Sequence, residues 1–219
     1  MRSRLGGLIL AVVTATAGAQ GTARLAISVN GHPAGYATLG QTIQKDGSKS
    51  VELRLELGTG AQKVHITSQS RYDAQGNPIR KFQETVAPAG GINKQVVITF
   101  GKEGANVIVL DGDHRTSKSV SLASAAPRAS LSEFWFLRDS PKPGQTEETY
   151  QFSADSLQWE IVKTEYRGKK TIDAGGHKIE AYETVTTRGD QETTSYLDEH
   201  GLPVLIDQGS VKMEKIWPK

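Results

Sequence analysis

Histidine, carboxylate, serine and a dense aromatic cluster are the groups through which this chain could do chemistry. The five histidines stand at His32, His65, His114, His177 and His200, and no two fall at H-x-H or H-x-x-x-H spacing. A zinc site would therefore need ligands brought together from distant segments, and no metal is expected. The carboxylates mostly alternate with apolar residues or sit in turns, as solvated strand faces do. An enzyme acting on envelope polymers would need two of them to converge in one cleft. Serine is common, but no G-x-S-x-G occurs, and the absence of cysteine excludes thiolate hydrolases. The glycines are spread one per turn, with no phosphate-cradling loop. Arg188-Gly189-Asp190 spells an adhesion tripeptide, but its surroundings make it a hairpin tip. The chain is read as non-enzymatic, with no cofactor.

The aromatic cluster Phe134-Trp135-Phe136 offers a different chemistry, that of apolar binding. Its plain reading is core, as a short helix or strand plugging one face of a sheet. The sharper reading has Trp135, with Trp159, lining a hydrophobic groove. A sheet with one apolar face and few helices must fold on itself, dimerise or hold an apolar guest.

The elements that must position these groups are strands. Val51-Glu52-Leu53-Arg54-Leu55-Glu56-Leu57 alternates apolar and charged residues at period two, giving a strand with one wet face. Leu25, Ile27 and Val29 alternate likewise and run into Asn30-Gly31, a strong hairpin signal. Segment 105–110 is nearly continuous in apolar residues and reads as a strand buried on both faces. Turns recur every eight to twelve residues, the rhythm of an antiparallel meander of roughly twelve strands. One turn is expected at Arg167-Gly168, between a strand over 157–166 and a short one over 170–172.

One phrase occurs twice. Asp73-Ala74-Gln75-Gly76-Asn77-Pro78-Ile79 and Asp198-Glu199-His200-Gly201-Leu202-Pro203-Val204 share the frame D-x-x-G-x-P-[V/I], each with an aromatic residue just upstream. Asp caps such a corner, Gly supplies a positive φ, and Pro sets the entry to the next strand. The repeat suggests two halves built alike. The expected division is a signal peptide over 1–19, a first β half over 20–122, a linker carrying the aromatic cluster over 123–145, and a second β half over 146–219.

The beginning of the chain reads as an export signal. Arg2 and Arg4 precede the short apolar run 5–13, and Ala17-Gly18-Ala19 fits the small-residue cleavage pattern, placing the mature start at Gln20. The run is too short to span a bilayer. The chain is expected in the periplasm or the extracellular space. Removing Arg2 and Arg4 from the 26 Lys and Arg residues brings the cations level with the 24 acids. That balance argues against nucleic acid as a partner.

The segment 176–216, with His177-Lys178-Ile179-Glu180-Ala181-Tyr182, a polar hairpin and then the second copy of the phrase, resembles the C-terminal part of bacterial exported domains of unknown function, the DUF3108-like proteins. It is also similar in architecture to the periplasmic lipoprotein carriers of the LolA/LolB type. The resemblance implies a curved antiparallel half-barrel whose concave face shelters acyl chains, and it carries over no catalytic residue. The carriers cover that face with helices, of which this chain shows hardly any. The expected fold is thus all-β: an antiparallel meander forming a curved open sheet or half-barrel. The expected function is binding of a lipid or acyl chain by Leu53, Leu55, Val64, Ile66, Trp159 and Ile179, which share the apolar side of their strands, together with Trp135 of the aromatic cluster. The alternative is a structural or scaffold protein of the cell envelope that binds another protein.

Overall fold

Period-two patterning requires a sheet with an inside and an outside, and the computed structural model has one. It describes residues 21–58, 60–88, 91, 93–122 and 140–218. The signal segment, the aromatic cluster and most of the linker fall outside them. The first series of strands is β1 (Gly21–Val29), β2 (His32–Ile43), β3 (Lys49–Leu57), β4 (Val64–Tyr72), β5 (Pro78–Val86), β6 (Asn93–Gly101), β7 (Gly104–Asp111) and β8 (His114–Ser121). The second is β9 (Thr146–Ser153), β10 (Gln158–Ala174), β11 (His177–Arg188), β12 (Gln191–Leu197), β13 (Pro203–Asp207) and β14 (Val211–Lys215). A 3₁₀ turn at Gly60–Gln62 is the only helical element among the described residues.

The fourteen strands of the described residues lie in one antiparallel sheet, ordered β8-β7-β6-β5-β4-β3-β2-β1-β14-β13-β12-β11-β10-β9. Two meanders meet where β1 pairs with β14, with Ile27 opposite Met213. The strands expected in separate halves therefore form a single sheet whose edges are β8 and β9. Asn30 and Gly31, at φ 50° and 77°, make the sharp corner between β1 and β2 that the Asn-Gly pair announced.

The repeated phrase forms the same corner twice, between β4 and β5 and between β12 and β13. At the first, Asp73 N donates to Asn77 O at 2.9 Å and Gly76 N to Asp73 O at 3.1 Å. At the second, Asp198 N donates to Leu202 O at 2.9 Å and Gly201 N to Asp198 O at 2.8 Å. Each Asp Oδ1 accepts two further backbone N–H groups, from Gln75 and Asn77 in one copy and from His200 and Leu202 in the other. Gly76 and Gly201 sit at φ 87° and 73°, where a Cβ is disfavoured.

Two local expectations change. Arg167-Gly168 is not a turn: β10 runs unbroken for 17 residues, and its register against β11 shifts between Tyr166 and Gly168. The positive φ of Gly168, 101°, serves a β-bulge that bends the strand while pairing continues on both sides. Strand β7 is not buried on both faces. Ala105 and Val107 are buried, whereas Asn106 is exposed and Ile108 and Leu110 are only half-buried.

Directly paired residues share a face, so the inward face can be traced across the sheet. The row Ala23–Leu39–Leu53–Ser68 crosses β1 to β4, and Leu25–Ala37–Leu55–Ile66 runs beside it. The apolar members of these rows form the main core with Ile27, Val51, Ile206 and Met213, Ile66 packing against it from its rim. Register breaks in the β1–β2, β4–β5, β10–β11 and β12–β13 pairs add local twist, which curls so wide a sheet.

Among the described residues the sheet does not close by backbone hydrogen bonds, and its ends overlap. Val96, Ile98, Ala105 and Val107, from the inward face of β6 and β7, form a second core with Phe152 and Ala154 of the β9 end. Phe152 is the register partner of Trp159, and both stand on the opposite face from the paired Thr149 and Val162. Following the register round the sheet, Thr149 and Val162 carry the inward face, so Phe152 and Trp159 are on the outward one. The β9–β10 edge is therefore tucked inside the curl, its outward face against the inward face of β6–β8. Phe100, Phe152 and Trp159 pack edge-to-face or tilted at ring separations of 5.3–6.2 Å. The Trp159 indole N–H donates to Val120 O at 3.4 Å, tying β10 to β8.

Candidate functional site

A scroll with one edge tucked under the other need not fill the space beside the overlap. Here it leaves a cavity of about 850 Å³. The floor is the inward face of β1 to β4. Leu53 and Leu55 project from β3, with Val51 and Leu57 above and below, and Val64 and Ile66 continue the surface on β4. Period two places all of them on one face, as the sequence implied. Tyr72, Phe100, Tyr150 and Phe152 add aromatic walls.

The flank is polar. On β4 the apolar pattern gives way to Ser68 and Ser70, and on β5 to Lys81, Gln83 and Thr85. Across the overlap stand Gln151, Asp155, Glu160 and Arg188. Gln83 Nε2 donates to Asp155 Oδ1 at 3.4 Å, bridging β5 and the turn after β9. Arg188 donates to Gln151 Oε1 at 2.6 Å and forms an ion pair with Glu160 at 3.3 Å. Glu160 also accepts the Ser156 hydroxyl at 2.8 Å. Two carboxylates thus line the cleft, the arrangement that acid–base chemistry would need. Each already has a partner, Asp155 in Gln83 and Glu160 in Arg188 and Ser156. Among the described residues no three of His, Asp and Glu gather as metal ligands would.

Four of the residues expected from sequence line this cavity: Leu53, Leu55, Val64 and Ile66. Trp159 stands in the overlap core instead. Ile179 faces Ile172 in the β10–β11 hairpin, away from the lining. Trp135 lies outside the described residues. The aromatic walls and the polar groups across the overlap carried no sequence signal, because they come from strands that meet only when the sheet curls. Tyr72 is the exception, standing just ahead of the first repeated phrase.

Curled antiparallel sheet, overlapped edges and an inner cavity define a β-barrel-like domain. No family model and no curated protein sequence matches the chain. Among solved structures it is similar to a β-barrel-like protein of the domain of unknown function DUF1849 from Brucella abortus, with a TM-score of 0.57 at 9% identity over 89% of this chain and 94% of that one. A DUF1089 family protein from Pseudomonas aeruginosa aligns with a TM-score of 0.43 at 14% identity, over 81% of this chain and 90% of that one. The first likeness shows the fold alone, a β-barrel-like domain. The finer resemblance, to DUF3108-like domains or LolA/LolB carriers, finds no counterpart in these matches.

Proposed function

We propose that this protein is an exported, non-catalytic binder of an apolar ligand, a lipid or acyl chain, held inside the curled sheet. The observation that carries the reading is the cavity of about 850 Å³ with an apolar floor of strand-borne leucine, isoleucine and valine. Its volume falls in the upper part of the roughly 300–1,000 Å³ typical of ligand sites, which are mostly apolar with a few polar groups. An apolar guest removes that floor from water at about 0.8 kcal/mol per buried methylene. Export is proposed on the charged, apolar and small-residue order of segment 1–19.

Native mass spectrometry of protein purified without detergent, followed by solvent extraction, tests the proposal. Stoichiometric lipid that is lost on extraction supports it. A bare mass, with no uptake when lipid is offered to the extracted protein, overturns it in favour of an envelope scaffold.

A further inference from the structure

The cavity is lined from two cores that have no residue in common among those described. Val51, Leu53, Leu55 and Tyr72 belong to the main core. Phe100, Phe152 and Ala154 belong to the overlap. The register shows what carries the second group. Strand β10 pairs with β11 from Ala174 back to Val162, which stands opposite Arg188. Before Val162, the residues from Gln158 to Ile161 pair only with those from Ser153 to Tyr150 of β9, the edge strand of the sheet. Residues 150–161 therefore form a two-stranded ribbon that overhangs the end of β11. A lone two-stranded hairpin is marginal in water, so this one depends on what its side chains touch.

Those contacts lie at the base, along the seam and at the tip. At the base Arg188 holds both strands, donating to Gln151 Oε1 at 2.6 Å and pairing with Glu160 at 3.3 Å. Along the seam Phe152 and Trp159 pack on Phe100, and the Trp159 indole reaches Val120 O. At the tip Gln83 Nε2 donates to Asp155 Oδ1 at 3.4 Å, a long bond near the surface. Beside it Leu157 holds φ 53°, a backbone conformation that bulky side chains rarely adopt, with its side chain against the overlap core. Each of these contacts is made by a side chain. The ribbon is thus free to part from β6–β8 while every strand pairing of the sheet stays intact.

Resting on the reading of the cavity as a ligand site, we infer that this ribbon is a flap over its entrance. It swings about its base at Arg188, unlatches where Gln83 meets Asp155, and admits and releases the guest through the seam. A wall tied by side chains alone opens at lower cost than one built of hydrogen-bonded strands. Parting the seam exposes Phe152 and Trp159 to water, which draws the ribbon shut again.

The chain has no cysteine of its own, so Gln83→Cys with Asp155→Cys gives one addressable pair. A reducible bis-methanethiosulfonate cross-linker spans the two shortened side chains. Uptake of Nile red, and its release on dilution, are followed by stopped flow in the cross-linked protein and in the same protein after reduction. Cross-linking should slow both at least about tenfold, and reductant should restore them. In the chain without cysteines, Gln83→Ala should speed both roughly two- to fivefold, the effect of losing one hydrogen bond. Rates that cross-linking leaves unchanged overturn the flap and leave the cavity as a site filled by another route. Amide exchange without ligand gives a second reading: residues 150–161 should exchange faster than β2 and β3, and cross-linking should slow them. Exchange no faster than in β2 and β3 also overturns the flap. Dye that binds neither form refutes the cavity as a ligand site, and amide exchange then decides by itself whether the ribbon opens. Should the cysteine pair fail to fold, wild-type exchange and the Gln83→Ala rates decide.

Discussion

The cavity makes a quantitative demand on two leucines that are register partners. Leu39 and Leu53 face each other across β2 and β3, and both point inward. Leu39 is 1% exposed and packed on all sides, whereas Leu53 is 7% exposed and borders the cavity. Cutting either to alanine removes about three methylene equivalents, or about 2.4 kcal/mol of transfer free energy at ~0.8 kcal/mol each. At Leu39 the deletion also leaves a new void, and the penalty of about 24 cal/mol per Å³ carries the total to about 3–5 kcal/mol. At Leu53 the deleted atoms only enlarge a space that exists already. Part of that side chain has no protein partner to lose, so the expected loss is about 1.5–2.5 kcal/mol. The two variants should therefore differ by about 1–2 kcal/mol with unchanged m-values. Urea unfolding of delipidated protein, followed by tryptophan fluorescence, measures both. An equal cost for Leu53→Ala and Leu39→Ala would refute the reasoning, because it would mean that the sheet closes on itself in solution and leaves no cavity beside Leu53. Ligand extends the test: a bound acyl chain should raise the midpoint of wild type more than that of Leu53→Ala, by mass action on the folded state.

Further outcomes follow from other parts of the scroll. Trp159→Ala, which deletes the ring between Phe100 and Phe152 and the bond to Val120 O, should cost about 2–4 kcal/mol and accelerate amide exchange in β8 more than in β2; equal acceleration in both strands would argue against an overlap latch. Gly35→Ala should yield insoluble or largely unfolded protein on expression, because Gly35 sits at φ 151° and an added Cβ would overlap the Glu56 carbonyl oxygen. Asp73→Ala and Asp198→Ala should each lower stability by about 1–2 kcal/mol in thermal unfolding, since each carboxylate accepts two backbone N–H groups of its turn, and Asn should recover part of the loss. The hydrogen bond from Lys63 lowers the Glu56 pKa below its ordinary value. The contribution of that pair is thus present above the unfolded-state pKa and lost as the pH falls through the lower folded one. In Lys63→Met the Glu56 carboxyl, followed by NMR, should titrate at higher pH than in wild type.

Much of this architecture is written locally. The alternation from Val51 to Leu57 fixes which side of β3 is buried, because successive side chains of a strand point to opposite faces whatever the strand pairs with. Asn30-Gly31 and the two D-x-x-G-x-P corners fix where the chain reverses, since Gly at positive φ and an Asp carboxylate bonded to its own turn are properties of a few adjacent residues. From these the meander, and the cavity floor of Leu53, Leu55, Val64 and Ile66, were legible in the sequence. Gly168 shows the limit of that reading: the same positive φ makes a turn or a bulge, and pairing with β11 on both sides decided for the bulge.

What only the tertiary structure decided is everything that depends on curvature. The pairing of β1 with β14, the tucking of β9 inside β6–β8, and the meeting of Gln83 with Asp155 all join residues far apart in the chain. No local pattern encodes such contacts, because the curl is the sum of small twists and bulges over fourteen strands. Trp159 illustrates the point. Its size and its place on a strand marked it for an apolar surface, and the curl put it in the seam that holds the scroll shut, away from the cavity lining. The sequence determined which faces are apolar; the curl determined which of them are filled by the protein itself and which are left open beside the seam.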